Sequence, residues 1–161
     1  MNIVRIDLAD PAHAAALIRL LNDYATGPTG SGVALAGEAI ARLPGLLAAQ
    51  PHYLGWLAWV DGQAVGLVNC FQGVSTFRAR PLLNIHDIAV NRQFQRRGIA
   101  TALLAEVERE ARARQCCKIT LEVLEGNTGA VKAYRRAGFE PFGLDPAMGR
   151  ALFFEKKFYG D

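Results

Sequence analysis

The dipeptide Asp61-Gly62 stands between two apolar runs, Tyr53 to Val60 and Ala64 to Phe71, and constrains the fold more than any other feature of the chain. Both residues tolerate the positive φ that a two-residue hairpin turn requires, so the runs read as antiparallel neighbours in one sheet. An all-helical or all-parallel design is thereby excluded. A further run, Leu82 to Val90, reads as the next strand. From Ile99 the apolar residues Leu103, Leu104, Val107 and Ala111 recur at helical spacing, while Glu108 with Arg112 and Glu110 with Arg114 pair along the outer face.

The flanking segments complete the order. Met1 to Asp7 alternates like a strand. Asp10-Pro11 starts a helix, with Asp as cap and Pro at the first helical position, and Ala14, Leu17, Ile18 and Leu21 carry it to about Asp23. Thr26 to Gly32, TGPTGSG, is rich in turn formers and reads as a mobile surface loop of the kind that covers substrate. Leu35 to Gln50 is a second helical region that Gly37 and Pro44 are expected to interrupt. Lys118 to Leu124 reads as a strand. A short helix from Thr128 stops at Gly138, with Phe139 placed for a Schellman-type hydrophobic contact, and Ala151 to Phe158 is expected to close the chain as a last strand. With neither repeat nor linker in 161 residues, residues 1–161 are expected to form one mixed α/β domain.

Bulk properties narrow the partners. No apolar run reaches the roughly 18 residues needed to cross a bilayer, and the start lacks the basic-then-apolar layout of a secretory signal, so the cytoplasm is the expected location with no membrane partner. A formal net charge of +3 is too small to argue for nucleic acid, which needs a concentrated basic face. Cys70, Cys116 and Cys117 show no CxxC spacing and are expected to be buried thiols rather than metal ligands or nucleophiles. No metal is expected.

The most informative junction follows Val90. A strand ends, a basic turn runs from Asn91 to Arg97 with Arg92, Arg96 and Arg97 clustered, and a helix opens with Gly98 and Ala100 in its first turn. A helix start presents unpaired N–H groups and a partial positive charge, so it holds phosphate where small residues let the ligand approach. An ordinary strand-to-helix turn with surface arginines fits the same residues. No GxxxxGKS/T loop for nucleoside triphosphates is present, nor a GxGxxG with a downstream acid for dinucleotides.

Val90-x4-Gln95-x-x-Gly98-x-Ala100 resembles the coenzyme A signature of the GNAT superfamily of N-acetyltransferases. Leu121-Glu122-Val123-x3-Asn127-x6-Tyr134-x3-Gly138-Phe139 is similar to that superfamily's second motif, in the right order and at the right separation. The resemblance covers Leu82 to Phe139 at motif level. It implies the GNAT fold: a mixed, mostly antiparallel twisted sheet of about seven strands flanked by about four helices, splayed between the fourth and fifth strands. It also implies acetyl-CoA as cosubstrate. The backbones of Ile88, Ala89 and Val90 would meet the pantetheine arm like an added strand. The amides of Gln95, Arg96, Arg97, Gly98, Ile99, Ala100 and Thr101 would hold the pyrophosphate. Asn127 and Ala130 would open the next helix beside the cofactor, Asn127 as cap.

Direct acetyl transfer to an amine needs a neutral amine, an oxyanion site and a proton for the leaving thiolate. A free alkylamine has a pKa of about 10, so a carboxylate or imidazole must accept its proton, directly or through water. His86, Asp87 and Glu122 are the candidates, and the sequence does not choose among them. His86 and Asp87 interrupt an apolar strand, where an unpaired charge is costly. The resemblance matches them to two acidic residues of polyamine acetyltransferases, and matches Glu122 to the base of ribosomal-protein alanine acetyltransferases. It also implies Tyr134 as general acid near the sulfur. The expected activity is transfer of acetyl to a primary amine of a small molecule or peptide terminus. The alternative is a non-catalytic acyl-CoA-binding sensor or interaction domain. Asp23, Asp87 and Glu122 leave a cationic acceptor open. The segment Gly73 to Pro81 and the Thr26 to Gly32 loop with Tyr24 are expected to line its pocket. Homodimers are common in this family, and a homodimer is an expectation of the resemblance.

Overall fold

A computed structural model describes residues 1–143, 145, 147, 149 and 151–158. The strands β1 (Asn2–Arg5), β2 (Tyr53–Val60), β3 (Gln63–Ser75), β4 (Arg80–Val90) and β5 (Ile119–Leu121) form one sheet in the order β1-β2-β3-β4-β5. The first four are antiparallel neighbours, and β5 joins β4 in parallel through the crossover helix α3 (Ile99–Ala113). Asp61 and Gly62 take φ of 49° and 77°, and Val60 pairs with Gln63, so the hairpin forms as the dipeptide requires.

Helices cover both faces. α1 (Pro11–Ala25) and α2 (Gly37–Ala48) pack Leu17, Leu20, Leu21 and Leu47 onto Leu57, Leu67 and Ala89. On the other face α3 sets Ile99, Leu103, Leu104 and Val107 against Trp56, Val68, Leu83 and Ile85. The outer face of α3 carries the expected ion pairs, Glu108 to Arg112 and Glu110 to Arg114, each at 2.6 Å. α1 begins where the sequence places it, Asp10 Oδ1 accepting from Ala12 N–H at 2.8 Å. Gly66 brings α3 close to the sheet: a Cβ there would stand 2.9 Å from Ile99 Cγ2 and 3.3 Å from the Ala89 carbonyl oxygen. The first turn of α3 is thus seated beside the end of β4. α4 (Thr128–Arg136) follows β5.

Several expectations are corrected. Pro44 does not interrupt α2. A proline withholds the N–H that would bond to the carbonyl of Ile40 and crowds that carbonyl with its ring, but Ile40 is exposed, so its carbonyl can tilt toward solvent and the helix continues. The sheet has five strands among the described residues, not seven. The strand expected over Lys118 to Leu124 covers only Ile119–Leu121, and no strand forms over residues 151–158, whose side chains are exposed. An apolar run makes a strand only where its backbone finds an edge to pair with. Of the three cysteines only Cys70 is buried, Cys116 and Cys117 being half-buried. No described helix is long and apolar enough to cross a membrane.

Candidate active site

The sheet opens along β4. Leu83 N–H donates to Lys118 O at 3.2 Å, toward β5, whereas Asn91 N–H donates to Val65 O at 2.7 Å, toward β3. Both residue numbers are odd, so regular alternation would turn both groups the same way. An extra residue must intervene, and the register locates it: Cys70 lies opposite Ile85 and Asn69 opposite Asp87, leaving His86 without a partner. Beyond this bulge the alternation turns the N–H and C=O of Ile88 and Val90 away from β3. The pairing with β5 ends at Ile85 opposite Leu121, so that side of β4 has no strand beside it among the described residues. Ala89, between them, bonds toward β3 and is buried against α1.

The bulge also turns His86 and Asp87 to one face of the sheet, where both line a cleft of about 420 Å³ under α1, α2 and the segment joining them. Asp87 Oδ2 accepts from Asn69 Nδ2 at 3.0 Å, and Asn69 Oδ1 accepts from the Tyr53 hydroxyl at 2.9 Å. Asn69 is only 2% exposed. A second connection runs through rings: Tyr53 lies 5.7 Å from Phe71, which meets His86 edge-on at 5.6 Å. Tyr53 thus braces both polar residues. Burial drives its phenol above the usual range, with Cys70 and Asp87 adding to the effect. The Cys70 thiol is pushed up to about 12, again chiefly by burial.

At the far end of β4, Asn91 Oδ1 accepts from Gln93 N–H and shapes a 3₁₀ turn over Arg92–Phe94. Gln95 Nε2 donates back to Val90 O at 3.3 Å. Arg96 and Gly98 then take φ of 63° and 80°, folding the chain tightly into α3. Arg97 lies over the Phe94 ring at 4.9 Å. Gly98 caps α3 without a side-chain hydrogen bond, so helix geometry leaves the N–H groups of Ile99, Ala100 and Thr101 without intrahelical acceptors. Gly98 and Thr101 are exposed and Ala100 half-buried. The arrangement suits an anion.

Tyr134 is fixed by the way α4 ends. Phe139 N–H donates to Tyr134 O and Gly138 N–H to Arg135 O, each at 3.0 Å, with Gly138 at φ 86°. This is a Schellman motif. Its hydrophobic contact is the Tyr134 and Phe139 ring pair, with centroids 6.0 Å apart. At the other end Asn127 Oδ1 accepts from Ala130 N–H at 3.2 Å, the expected cap. Burial raises the Tyr134 phenol above its ordinary range, with a smaller push from the neighbouring Tyr24 hydroxyl. Tyr134 packs against the core cluster on the α3 face of the sheet, and Tyr24 is a wall of the cleft on the other.

A family model described as "Acetyltransferase (GNAT) family" matches residues 15–139, which takes in the cleft, the α3 turn and Tyr134 together. The chain belongs to the GNAT acetyltransferase family. This GNAT chain is 38% identical over 82 residues to an uncharacterized N-acetyltransferase of Methanocaldococcus jannaschii, covering 50% of the chain and 36% of that protein. It is 36% identical over 88 residues to the streptothricin acetyltransferase of Streptomyces lavendulae, covering 55% of the chain and 44% of that protein. The matches therefore span less than half the length of these relatives. Among solved structures, the aminoglycoside N-acetyltransferase AAC(6')-Iy in complex with CoA superposes with a TM-score of 0.74 at 20% identity, covering 97% of the chain and 94% of that protein. At that identity the likeness is one of fold.

The GNAT structure brings His86 and Asp87 to one cleft, but lines it with neither Tyr134 nor Glu122. Glu122 is exposed, beyond the end of β5, and is not among the residues lining the cleft. Asp23 is also outside the lining set, 3.7 Å from Arg19 and within 3.5 Å of Asn91 Nδ2. Tyr24, Gly30 and Ser31 line the cleft as expected. The Gly73 to Pro81 segment does not, because it forms the outer end of the β3–β4 hairpin, with Ser75 opposite Arg80. Sequence reasoning missed Asn69 and Tyr53. The available signal was an asparagine inside the apolar run Ala64 to Phe71, where a buried amide needs partners.

Proposed function

We propose that this GNAT chain transfers the acetyl group of acetyl-CoA directly to a primary amine. The reading rests on the bulge at His86, because one extra residue accounts for both halves of the site. It turns the backbone of Ile88 and Val90 outward for the pantetheine arm and turns His86 and Asp87 inward to the acceptor cleft. Backbone amides from Gln95 to Thr101 take the pyrophosphate, with Arg96 and Arg97 adding charge.

The amine enters from the cleft as an ammonium held by Asp87, which Asn69 keeps in place. His86 lines the cleft beside Asp87 and takes the amine proton, directly or through a water. The neutral nitrogen then attacks the thioester carbonyl, a C–N bond forms, the adduct nitrogen gives its second proton to water, and the tetrahedral intermediate collapses with loss of the C–S bond. Tyr134 supplies the proton to the departing thiolate. A phenol suits that role because it is a weaker acid than a thiol and stays protonated until the thiolate exists.

Free thiol released from acetyl-CoA across a panel of amines is the test. Turnover with at least one amine, with Tyr134→Phe lowering kcat while acetyl-CoA affinity holds, is the expected outcome. Tight acetyl-CoA binding with no turnover on any amine would instead favour a binding module.

A further inference from the structure

The cleft that holds His86 and Asp87 has the chemistry of a particular acceptor. We infer that it takes a monoamine whose remaining bulk is apolar, such as an arylalkyl- or alkylamine, and rejects polycations. The inference rests on the acetyl-transfer reading above and names the substrate class of that same site.

Charge sets the first limit. Asp87 is the one carboxylate lining the cleft among the described residues. Asp23, next in the chain to the lining residue Tyr24, is exposed and engaged by Arg19 and Asn91. One ammonium therefore finds a counter-ion, and a second one entering the cleft would shed water with nothing to replace it. The rest of the lining sets the second limit. Leu21, Leu35, Leu43, Leu47 and Phe71 form the walls, and apolar walls reward apolar surface taken from water. At about 420 Å³ the space is at the small end of ordinary ligand sites.

The walls are also built to persist. The segment after α1 folds back on the helix, Gly32 N–H donating to Ala25 O at 2.9 Å and Leu35 N–H to Asn22 Oδ1 at 3.0 Å. Gly30 lies so close that an added Cβ would fall 2.3 Å from Tyr24 O and 2.4 Å from Ala25 O. This closure fixes Tyr24 and Leu35 as walls. The reaction is unchanged: the single amine's nitrogen bonds to the acetyl carbon, the C–S bond breaks, and the amine proton leaves through His86 while the thiolate is protonated.

The test compares hexylamine with hexamethylenediamine, and phenethylamine with an aminoglycoside bearing several ammonium groups, using thiol release for turnover and calorimetry for binding. Along the linear alkylamines kcat/KM should rise about 3- to 4-fold per methylene until the cleft is filled. Hexamethylenediamine should be poorer than hexylamine by about tenfold or more. Leu35→Glu, which adds a second carboxylate to a half-buried wall, should move that preference toward the diamine by about tenfold. A diamine or aminoglycoside that outperforms its monoamine counterpart on the wild-type protein overturns the inference, as does a preference that Leu35→Glu leaves unmoved. If no amine is acetylated, the acetyl-transfer reading fails separately. Calorimetry then decides the cleft's selectivity: tighter binding of the monoamine supports it, and equal or tighter binding of the diamine refutes it.

Discussion

Replacing Asn69 by leucine should cost the protein more than removing any other single hydrogen-bonding side chain near the cleft. The two side chains are close in size, so the change removes polarity with little change in volume. It strips the half-buried Tyr53 hydroxyl of its acceptor at 2.9 Å and Asp87 of its donor at 3.0 Å. An orphaned buried hydroxyl costs about 1–3 kcal/mol, and a hydrogen bond to a charged group contributes about 1.5–3 kcal/mol. Asp87 is only half-buried, so water recovers part of its share. Leucine gains some burial in return. A net loss of about 2–3 kcal/mol remains, which for a domain of this size lowers Tm by roughly 5–10 °C. The decisive measurement is a double-mutant cycle by urea denaturation with Tyr53→Phe. Asp87 lacks its donor in both variants, but once the hydroxyl is gone the orphan at Tyr53 is removed, so the double variant should be more stable than Asn69→Leu alone by about 1 kcal/mol or more. Strict additivity of the two single changes would refute the reasoning. In the amine reaction Asn69→Leu should raise KM for the acceptor, because Asp87 loses the amide that orients it.

Three further outcomes follow from the same structure. Gly98→Ala places a side chain at φ 80° and at the anion-facing helix start, so it should cost about 1–2 kcal/mol of stability and raise KM for acetyl-CoA while sparing KM for the amine. Native protein treated with iodoacetamide at pH 8 should be labelled at no more than two of its three cysteines, read by mass spectrometry, because Cys70 is fully buried with its thiol pushed up to about 12. Because that folded-state value lies above the usual 9.0, the stability gained by keeping Cys70 neutral is complete below pH 9 and is lost as pH climbs toward about 12. Cys70→Ala should therefore flatten the alkaline fall in stability by up to about 1.4 kcal/mol per pH unit, measured by denaturant titration.

Local signals account for what was legible from the chain. The Asp61-Gly62 turn, the Asp10 and Asn127 caps, the Schellman ending at Gly138-Phe139 and the periodicity of Leu103 to Ala111 each depend on residues within a few positions of one another. The sequence therefore specified them directly, and with them the spacing of the two family motifs. The errors lie where an outcome depended on a distant partner. Residues 151–158 carry the apolar run Leu152-Phe153-Phe154, yet a strand exists only by pairing, and nothing in those residues records whether an edge is available. Pro44 reads as a helix breaker only until the exposure of Ile40 is known.

The sequence by itself determined the order of elements from β1 to α4, the glycine start of α3 at Gly98 and the place of Tyr134 seven residues after its capping Asn127. Three polar residues, His86, Asp87 and Glu122, remained equal as candidates because each stands in an apolar strand pattern. Only the tertiary structure separated them. The bulge at His86 is a mismatch between β3 and β4, visible only once both strands are in register. It places two of the three residues in one cleft, while the early end of the β4–β5 pairing leaves Glu122 in solvent. Asn69 and Tyr53, sixteen residues apart, likewise become a support for Asp87 only when β2, β3 and β4 lie side by side.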